Sequence, residues 1–336
     1  MGKLKKILCV GGCVLDILVV SDKLPLIEYN NKTYFGIEYG SKIPGTIFIA
    51  NEGGSATNIA LNLVALGVEC SLFSAIGDDF LGNFILDKIK NTGLDCSWIV
   101  KVKENTGTAF IVKSPYYPDR GMITVKAASD LLRKEYIDIN RCDSYDYLIW
   151  CSLTSESSIE TIEKLIELFR NRTDPGFIIA APSSSMIKKY PRKCYELVLK
   201  SDLYASNLEE AKIILKMHDA SWIDCAKELF DLGINYISIT NGEEGAIIGT
   251  KNNLIKVIPP KIDVVDTTGV GDAFISGFIY GLINEINIET SGKIATLMSI
   301  CVLKEYGTRK GIPRLNKINK LLQTIGPNIK VQQISL

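Results

Sequence analysis

From residue 127 onward the chain alternates short apolar runs with stretches of helical period. YDYLIWCS reads as a strand and IETIEKLIELFRN as a helix. GFIIAA is a strand, YELVLK a helix, LYAS a strand and LEEAKIILK a helix. CAKELFDLG is then a helix and YISIT a strand. AIIGT and LIKVIPP form a strand pair, and helices near 292–306 and 315–323 close the pattern. The N-terminal part keeps the same rhythm: KILCV and VLDILVV around Gly11-Gly12, a helix over 53–67, strand CSLFSAIG, and a helix that ends at Gly93. Regular alternation of this kind predicts an α/β fold, a three-layer doubly wound and mostly parallel sheet with helices on both faces. Two stretches break the rhythm. Residues 17–50 and 95–126 hold β-prone pieces without helical period (KTYFGIEY, GTIFIA, TGTAFIVKS, GMITVKA), and they are expected to pair as one small β-lid. The α/β core is then 1–16, 51–94 and 127–336.

Composition narrows the classes. A hydrophobic fraction of 46% and a charged fraction of 23% suit an ordinary globular chain of 336 residues. Lys+Arg and Asp+Glu number 38 each, so bulk charge gives no handle for nucleic acid or for a membrane surface. Nine scattered cysteines without a CxxC argue for free thiols in a reducing, cytoplasmic setting and against a zinc site. The apolar start MGKLKKILCVGGCVLDILVV is interrupted by Asp16 and lacks a small-residue cleavage site, so it reads as a first strand. His218, in the polar stretch KMHDAS, is the sole histidine, which disfavours Ser-His-Asp and Cys-His hydrolysis.

The chemistry concentrates in DVVDTTGVGDAFISGFIYGL, residues 263–282. A β-branched run meets the turn Asp266-Thr267-Thr268-Gly269-Val270-Gly271, and a helix follows from Asp272. The first N–H groups of a helix have no intrahelical acceptor, and the helix end is positive, so the turn suits an anion such as phosphate. Asp272 at that end suits a base. An anion hole beside a carboxylate is what phosphoryl transfer to a hydroxyl needs; a glycine turn with a capping Asp explains the same letters. Ala273, Gly277 and Gly281 share one helical face and call for a close packing partner.

Four further groups of residues each carry two readings. GGSATN at 53–58 offers Gly54 and Asn58 to a polyol, or is a plain turn with Ser55 as cap. Asn207 and Glu210 form a capping-box pattern, or hold waters on a Mg²⁺–phosphate unit. Thr240, Gly242 and Gly245 suit a nucleotide or a hairpin. Asp16 sits where a strand's carboxyl end would face a ligand crevice, or is a loop acid. GxxxxGK[ST] is absent, and neither Gly11-Gly12 nor Gly269-Val270-Gly271 completes GxGxxG.

Taken together and in order, these residues resemble the ribokinase-like (PfkB) family of carbohydrate and nucleoside kinases. DTTGVGD at 266–272 is similar to its DTxGAGD signature, with Val270 in place of Ala. GGSATN, GDDFLG at 77–82, NLEE at 207–210 and TNGEEG at 240–245 are similar to its GGxxxN, GxDxxG, NxxE and TxGxxG patterns. The resemblance spans roughly residues 5–312. It implies ATP and Mg²⁺, with Asp272 as base and the N–H groups of Gly269, Val270 and Gly271 as anion hole. Thr240, Gly242 and Gly245 would lie along ATP, Asn207 and Glu210 at Mg²⁺, and Asp16, Gly54 and Asn58 at the acceptor. Some members also use a monovalent cation, K⁺, and Asp266 and Thr268 occupy the matching positions. Many sugar kinases of the family carry Asp-x-Asn-x-Arg after the strand that is GFIIA here. This chain has Ala180-Ala181-Pro182-Ser183-Ser184-Ser185 instead, so sugar and nucleoside acceptors both stay open. A non-catalytic ligand-binding regulator on the same scaffold and a Rossmann-type oxidoreductase, which the missing GxGxxG argues against, are the remaining alternatives, and a homodimer through the lid is the expected partner arrangement.

Overall fold

The computed structural model describes residues 5–336. Among them are sixteen strands: β1 (Lys6–Val10), β2 (Val14–Val20), β3 (Leu26–Tyr29), β4 (Lys32–Phe35), β5 (Ile47–Gly53), β6 (Glu69–Gly77), β7 (Ile99–Val102), β8 (Thr108–Lys113), β9 (Arg120–Val125), β10 (Tyr147–Cys151), β11 (Phe177–Ala181), β12 (Leu203–Asn207), β13 (Tyr236–Thr240), β14 (Ala246–Thr250), β15 (Asn253–Ile258) and β16 (Lys330–Ile334). Ten form one sheet in the order β16-β15-β14-β13-β12-β11-β10-β1-β6-β7. From β13 to β7 every pairing is parallel; β14, β15 and β16 add antiparallel strands at one edge.

The apolar strands are continuous because both faces are covered. In β1, Leu8 and Val10 pack into one cluster with Trp150, Ile166 and Phe169, while Ile7 and Cys9 pack into the other with Ile59, Phe278 and Ile279. The helices Glu156–Arg170 and Trp222–Asp231 cover the first face. Ser55–Ala65, Val270–Ile283 and Ile288–Leu303 cover the second. This is the expected three-layer architecture.

The small-residue face of Val270–Ile283 has its packing reason. A Cβ on Gly277 would lie 2.6 Å from Ala295 Cα, and one on Gly281 would lie 2.2 Å from Ser291 Oγ. The backbone of Ile288–Leu303 thus approaches along that face.

The second sheet has the order β5-β2-β8-β9, and β3-β4 is a separate hairpin. β2 pairs antiparallel with β5 and parallel with β8, which joins the two β-rich stretches. Two details differ from the sequence expectation. The stretch 95–126 divides, because β7 pairs with β6 at the edge of the main sheet and only β8 and β9 enter the small one. β2 and β5 also extend beyond 17–50, from Val14 and to Gly53, so Asp16 lies inside a lid strand and does not end a core strand. The junction between β7 and β8 is pinned by Asp79, which caps Phe80–Ile89 and accepts from Gly82 N (2.7 Å), Thr106 N (2.8 Å) and Thr106 Oγ1 (2.6 Å). All nine cysteines are free and seven are buried. Among the described residues no helix is long and apolar enough to cross a membrane.

Candidate active site

The carboxyl ends of β11, β12 and β13 open on a cleft of about 250 Å³, the usual position of a ligand in this kind of sheet. Asn207 ends β12, Thr240 ends β13, and both line it with Glu210. The facing wall is Thr267, Gly269, Val270, Gly271 and Asp272. Gly269 is the N-cap of Val270–Ile283 in the left-handed region (φ 74°), which turns the first N–H groups of that helix toward the cleft. A side chain on Gly271 would meet only open space, so a ligand can approach the backbone there. Val270 packs against the cluster of Ala273, Leu297 and Met298, so its side chain is directed into the apolar layer.

Asp272 is partly buried in the first turn of that helix. Its Oδ2 accepts from Asn58 Nδ2 at 2.7 Å. Burial pushes its pKa up to about 6, and hydrogen bonds from Asn58 and Ser55 and the charge of Arg309 pull the other way. A carboxylate poised near neutrality is suited to accept a proton.

Three groups outside the sequence reading stand behind it. Asn58 Oδ1 accepts from Arg309 Nη2 at 2.5 Å, and Arg309 Nε lies 3.1 Å from Glu52 Oε1, a carboxylate that is itself buried. Arg309 Nη1 is buried and meets no protein acceptor. Burial raises the pKa of Asp16 to about 7, and Arg309 opposes that shift. Asp16 faces a second, small cavity of about 10 Å³ next to the first, lined by Leu18, Ile49, Asn51, Ile111 and Thr308. The third group is Arg120, from the start of β9, which lines the main cleft. Glu52 and Arg309 sit in NEGGSATN and GTRKGIP, polar stretches without period; they are recognisable only once the fold joins positions far apart in sequence.

A sequence profile of the pfkB family carbohydrate kinases matches residues 5–315. The chain belongs to that family. Ribokinase of Bacillus subtilis (strain 168) is 26% identical over 325 residues, covering 95% of this chain and 100% of the relative. A structure described as an E. coli Ribokinase II, in complex with ATP and Mg²⁺, superposes with a TM-score of 0.81 at 19% identity, covering 96% of this chain and 100% of that one. A nucleoside kinase of Burkholderia thailandensis in complex with inosine has a TM-score of 0.76 at 18% identity, over 95% of this chain and 98% of that one. These likenesses establish the ribokinase fold, and the family makes this chain a kinase of the sugar and nucleoside class.

The remaining family positions fall in four places. Asn207 and Glu210 do form the capping box: Glu210 N donates to Asn207 Oδ1 (2.8 Å), and Asn207 N donates to Glu210 Oε2 (3.1 Å). Glu210 Oε1 accepts from Ser184 N and Oγ (2.8 and 3.0 Å). Cap and cleft wall are thus one structure. A carboxylate and an amide without a third ligand fit Mg²⁺ held through water and phosphate, since Mg²⁺ dehydrates reluctantly. Gly242 and Gly245 are not among the residues lining the cleft. Gly245, at φ 94°, lets β15 approach, because a Cβ would fall 1.9 Å from Val257 O. Gly54, at φ 94°, lets Gly12 approach: a Cβ there would lie 2.3 Å from Gly12 O. Asp266 is buried, and its carboxylate accepts from Thr268 N (3.1 Å), Thr268 Oγ1 (2.8 Å) and Gly307 N (2.9 Å). His218 is exposed.

Proposed function

We propose that this chain transfers the γ-phosphoryl group of ATP to a hydroxyl of a small sugar. The observation that carries the reading is one arrangement: Asp272, with its pKa lifted to about 6, beside the open N-terminus formed by Gly269–Gly271, in the cleft that also holds Asn207, Glu210 and Thr240.

In the proposed step the acceptor hydroxyl gives its proton to Asp272 as its oxygen forms a bond to phosphorus. The bond from phosphorus to the β,γ-bridging oxygen breaks, and ADP leaves with that electron pair. The N–H groups of Gly269, Val270 and Gly271 take up charge on the transferring group. Asn207 and Glu210 would hold Mg²⁺ through water, where it neutralises phosphate charge. Thr240 lies along ATP, with Gly242 and Gly245 shaping the turn behind it. Asp16 and Asn58 would bind acceptor hydroxyls, Gly54 would hold the turn beside them, and Arg309 Nη1 is a further donor. Asp266 and Thr268 would hold a monovalent cation such as K⁺: the buried carboxylate accepts three protein hydrogens and keeps acceptor capacity for one more partner.

The acceptor is taken as a small sugar, with a nucleoside as the alternative. Acceptor choice is read by a coupled ADP-release screen over pentoses, hexoses, their phosphates and nucleosides. Asp272→Asn is expected to abolish turnover while leaving nucleotide binding in place; wild-type turnover in that variant would remove Asp272 as the base. The outer face of the lid exposes Phe48, Phe110 and Ile123, which supports pairing of two lids in a homodimer, to be checked by light scattering.

A further inference from the structure

We infer that Lys113 is a positioning residue: its buried ammonium gathers the lid tip, residues 114–119, and through that tip holds the loop that leads into Gly269. The inference rests on the kinase reading above. Lys113 ends β8 and is fully buried. Strand alternation puts it on the same face as Ala109 and Ile111, which pack with Leu18 and Val20 of β2. The apolar inner face of the lid thus closes with a charge. Taking an ammonium out of water costs several kcal/mol unless its N–H groups find partners.

The partners are backbone carbonyls. Lys113 Nζ donates to Tyr117 O and Pro118 O, both at 2.7 Å, and to Asp119 O at 3.4 Å. An ammonium carries three hydrogens, so three carbonyls satisfy it. The tip needs such a centre because its sequence, SPYYPD, supplies little of its own. Pro115 and Pro118 have no N–H to donate. Among the described residues, the one backbone hydrogen bond inside 114–119 runs from Tyr117 N to Ser114 O at 3.4 Å. Burial pulls the pKa of Lys113 down, and the carboxylates of Asp266 and Asp119 oppose that shift.

The gathered tip rests on the loop of the anion hole. Thr267 Oγ1 lies 3.5 Å from Pro118 O and 3.4 Å from Asp119 Oδ1, and it accepts from Arg120 Nη1 at 2.8 Å. Pro118 and Asp119 are two of the residues whose carbonyls the ammonium holds. Thr267 in turn stands two residues before Gly269, whose left-handed turn aims the N–H groups at the cleft. A tip that loses its centre lets this loop drift, and a shift of about 1 Å at the reacting groups can cost on the order of 100-fold in rate. Lys113 itself does not line the cleft. It moves no proton and acts through Thr267.

The test begins with amide hydrogen exchange, which needs no known acceptor. Lys113→Met keeps the length of the side chain and removes its charge. Amides of the tip and of residues 266–271 are both expected to exchange on the order of tenfold faster than in wild type. Unchanged exchange over 266–271 overturns the inference, because the tip would then not hold the loop. With a working acceptor, kcat of Lys113→Met is expected to fall about tenfold while KM for ATP stays within about twofold. Thr267→Val breaks the contact from the other side. Lys113→Met combined with Thr267→Val should lose little more than either alone, and losses that simply multiply would overturn the inference. In Lys113→Ala, propylammonium replaces the deleted atoms from Cγ to Nζ and should restore part of the rate, whereas 1-propanol should not; equal effects of the two also overturn it. Should the Lys113 variants fail to fold, Thr267→Val alone decides: faster exchange in the tip supports the contact, and unchanged exchange removes it. Wild-type protein that releases no ADP with any acceptor would sink the kinase reading, and the exchange comparison would still decide whether Lys113 holds the loop.

Discussion

Arg309 is expected to set the pH at which Asp272 works. The two charges are joined through the Asn58 amide by hydrogen bonds of 2.5 and 2.7 Å. That puts them roughly 7 Å apart, and at an effective dielectric of about 20 the attraction is about 2 kcal/mol. Solvent in the open cleft reduces this to on the order of one pK unit. Arg309 favours the ionised carboxylate, so its removal raises the pKa of Asp272 from about 6 to near 7. The base acts when ionised, so activity is lost on the acid side. At pH 7 the ionised share would drop from about nine-tenths to about half, at pH 6 from about half to about a tenth, and at pH 8.5 it would be nearly unchanged. Arg309→Met alone leaves Glu52 buried without its cation, at a cost on the order of 3–5 kcal/mol. The informative comparison is therefore Glu52→Gln with Arg309→Met against Glu52→Gln alone, which differ only in the Arg309 charge. The assay is kcat/KM from pH 5.5 to 9, with Asp16 and Asp272 read as one coupled pair. An acid limb of the double variant that superimposes on that of Glu52→Gln would refute the argument, since Arg309 would then have no hold on the base through Asn58.

Two further outcomes follow from local geometry. Glu210→Gln keeps most of the capping box and removes the charge, so the Mg²⁺ concentration for half-maximal rate should rise several-fold at an unchanged melting temperature. Glu210→Ala should also lose about 1 kcal/mol of stability with the cap; an unchanged Mg²⁺ dependence in both would detach Glu210 from the cation. Gly277→Ala sets a helix-propensity gain of up to ~1 kcal/mol against overpacking of ~1–3 kcal/mol, because the new methyl lies 2.6 Å from Ala295 Cα. Thermal melts should show a net loss, and a higher melting temperature would contradict the close-approach account.

The parallel core was legible because its strands are buried on both faces, so KILCV or FIIAA reads as an uninterrupted apolar run. The family positions were legible because they end strands or open helices, where chemistry and local structure coincide, as at Asn207 and Gly269. β7 was misread because its alternation is the same at the edge of the main sheet and in the lid. β16, KVQQI, passed unnoticed because an edge strand with an exposed face carries few apolar residues. The helix Ser184–Lys189 is too short for a period to register. The Glu52–Arg309–Asn58 chain had no local trace: its ion pair joins residues hundreds of positions apart, and a buried charge pair is a property of the fold.

The way β2 and β5 run gives the molecule a seam. Both are continuous from the glycine crossing at Gly12 and Gly54 into the lid, with Asp16 on one and Glu52 on the other. Under the proposed roles, the groups that judge the acceptor travel with the lid strands, while Asp272, Asn207 and Thr240 stay with the sheet. Exchanging residues 14–53 and 106–125 between two relatives would thus transplant the acceptor contacts of Asp16 as a cassette, and Arg120 of the main cleft would travel with it. Asn58 and Arg309 are the two joints that such a graft would have to match.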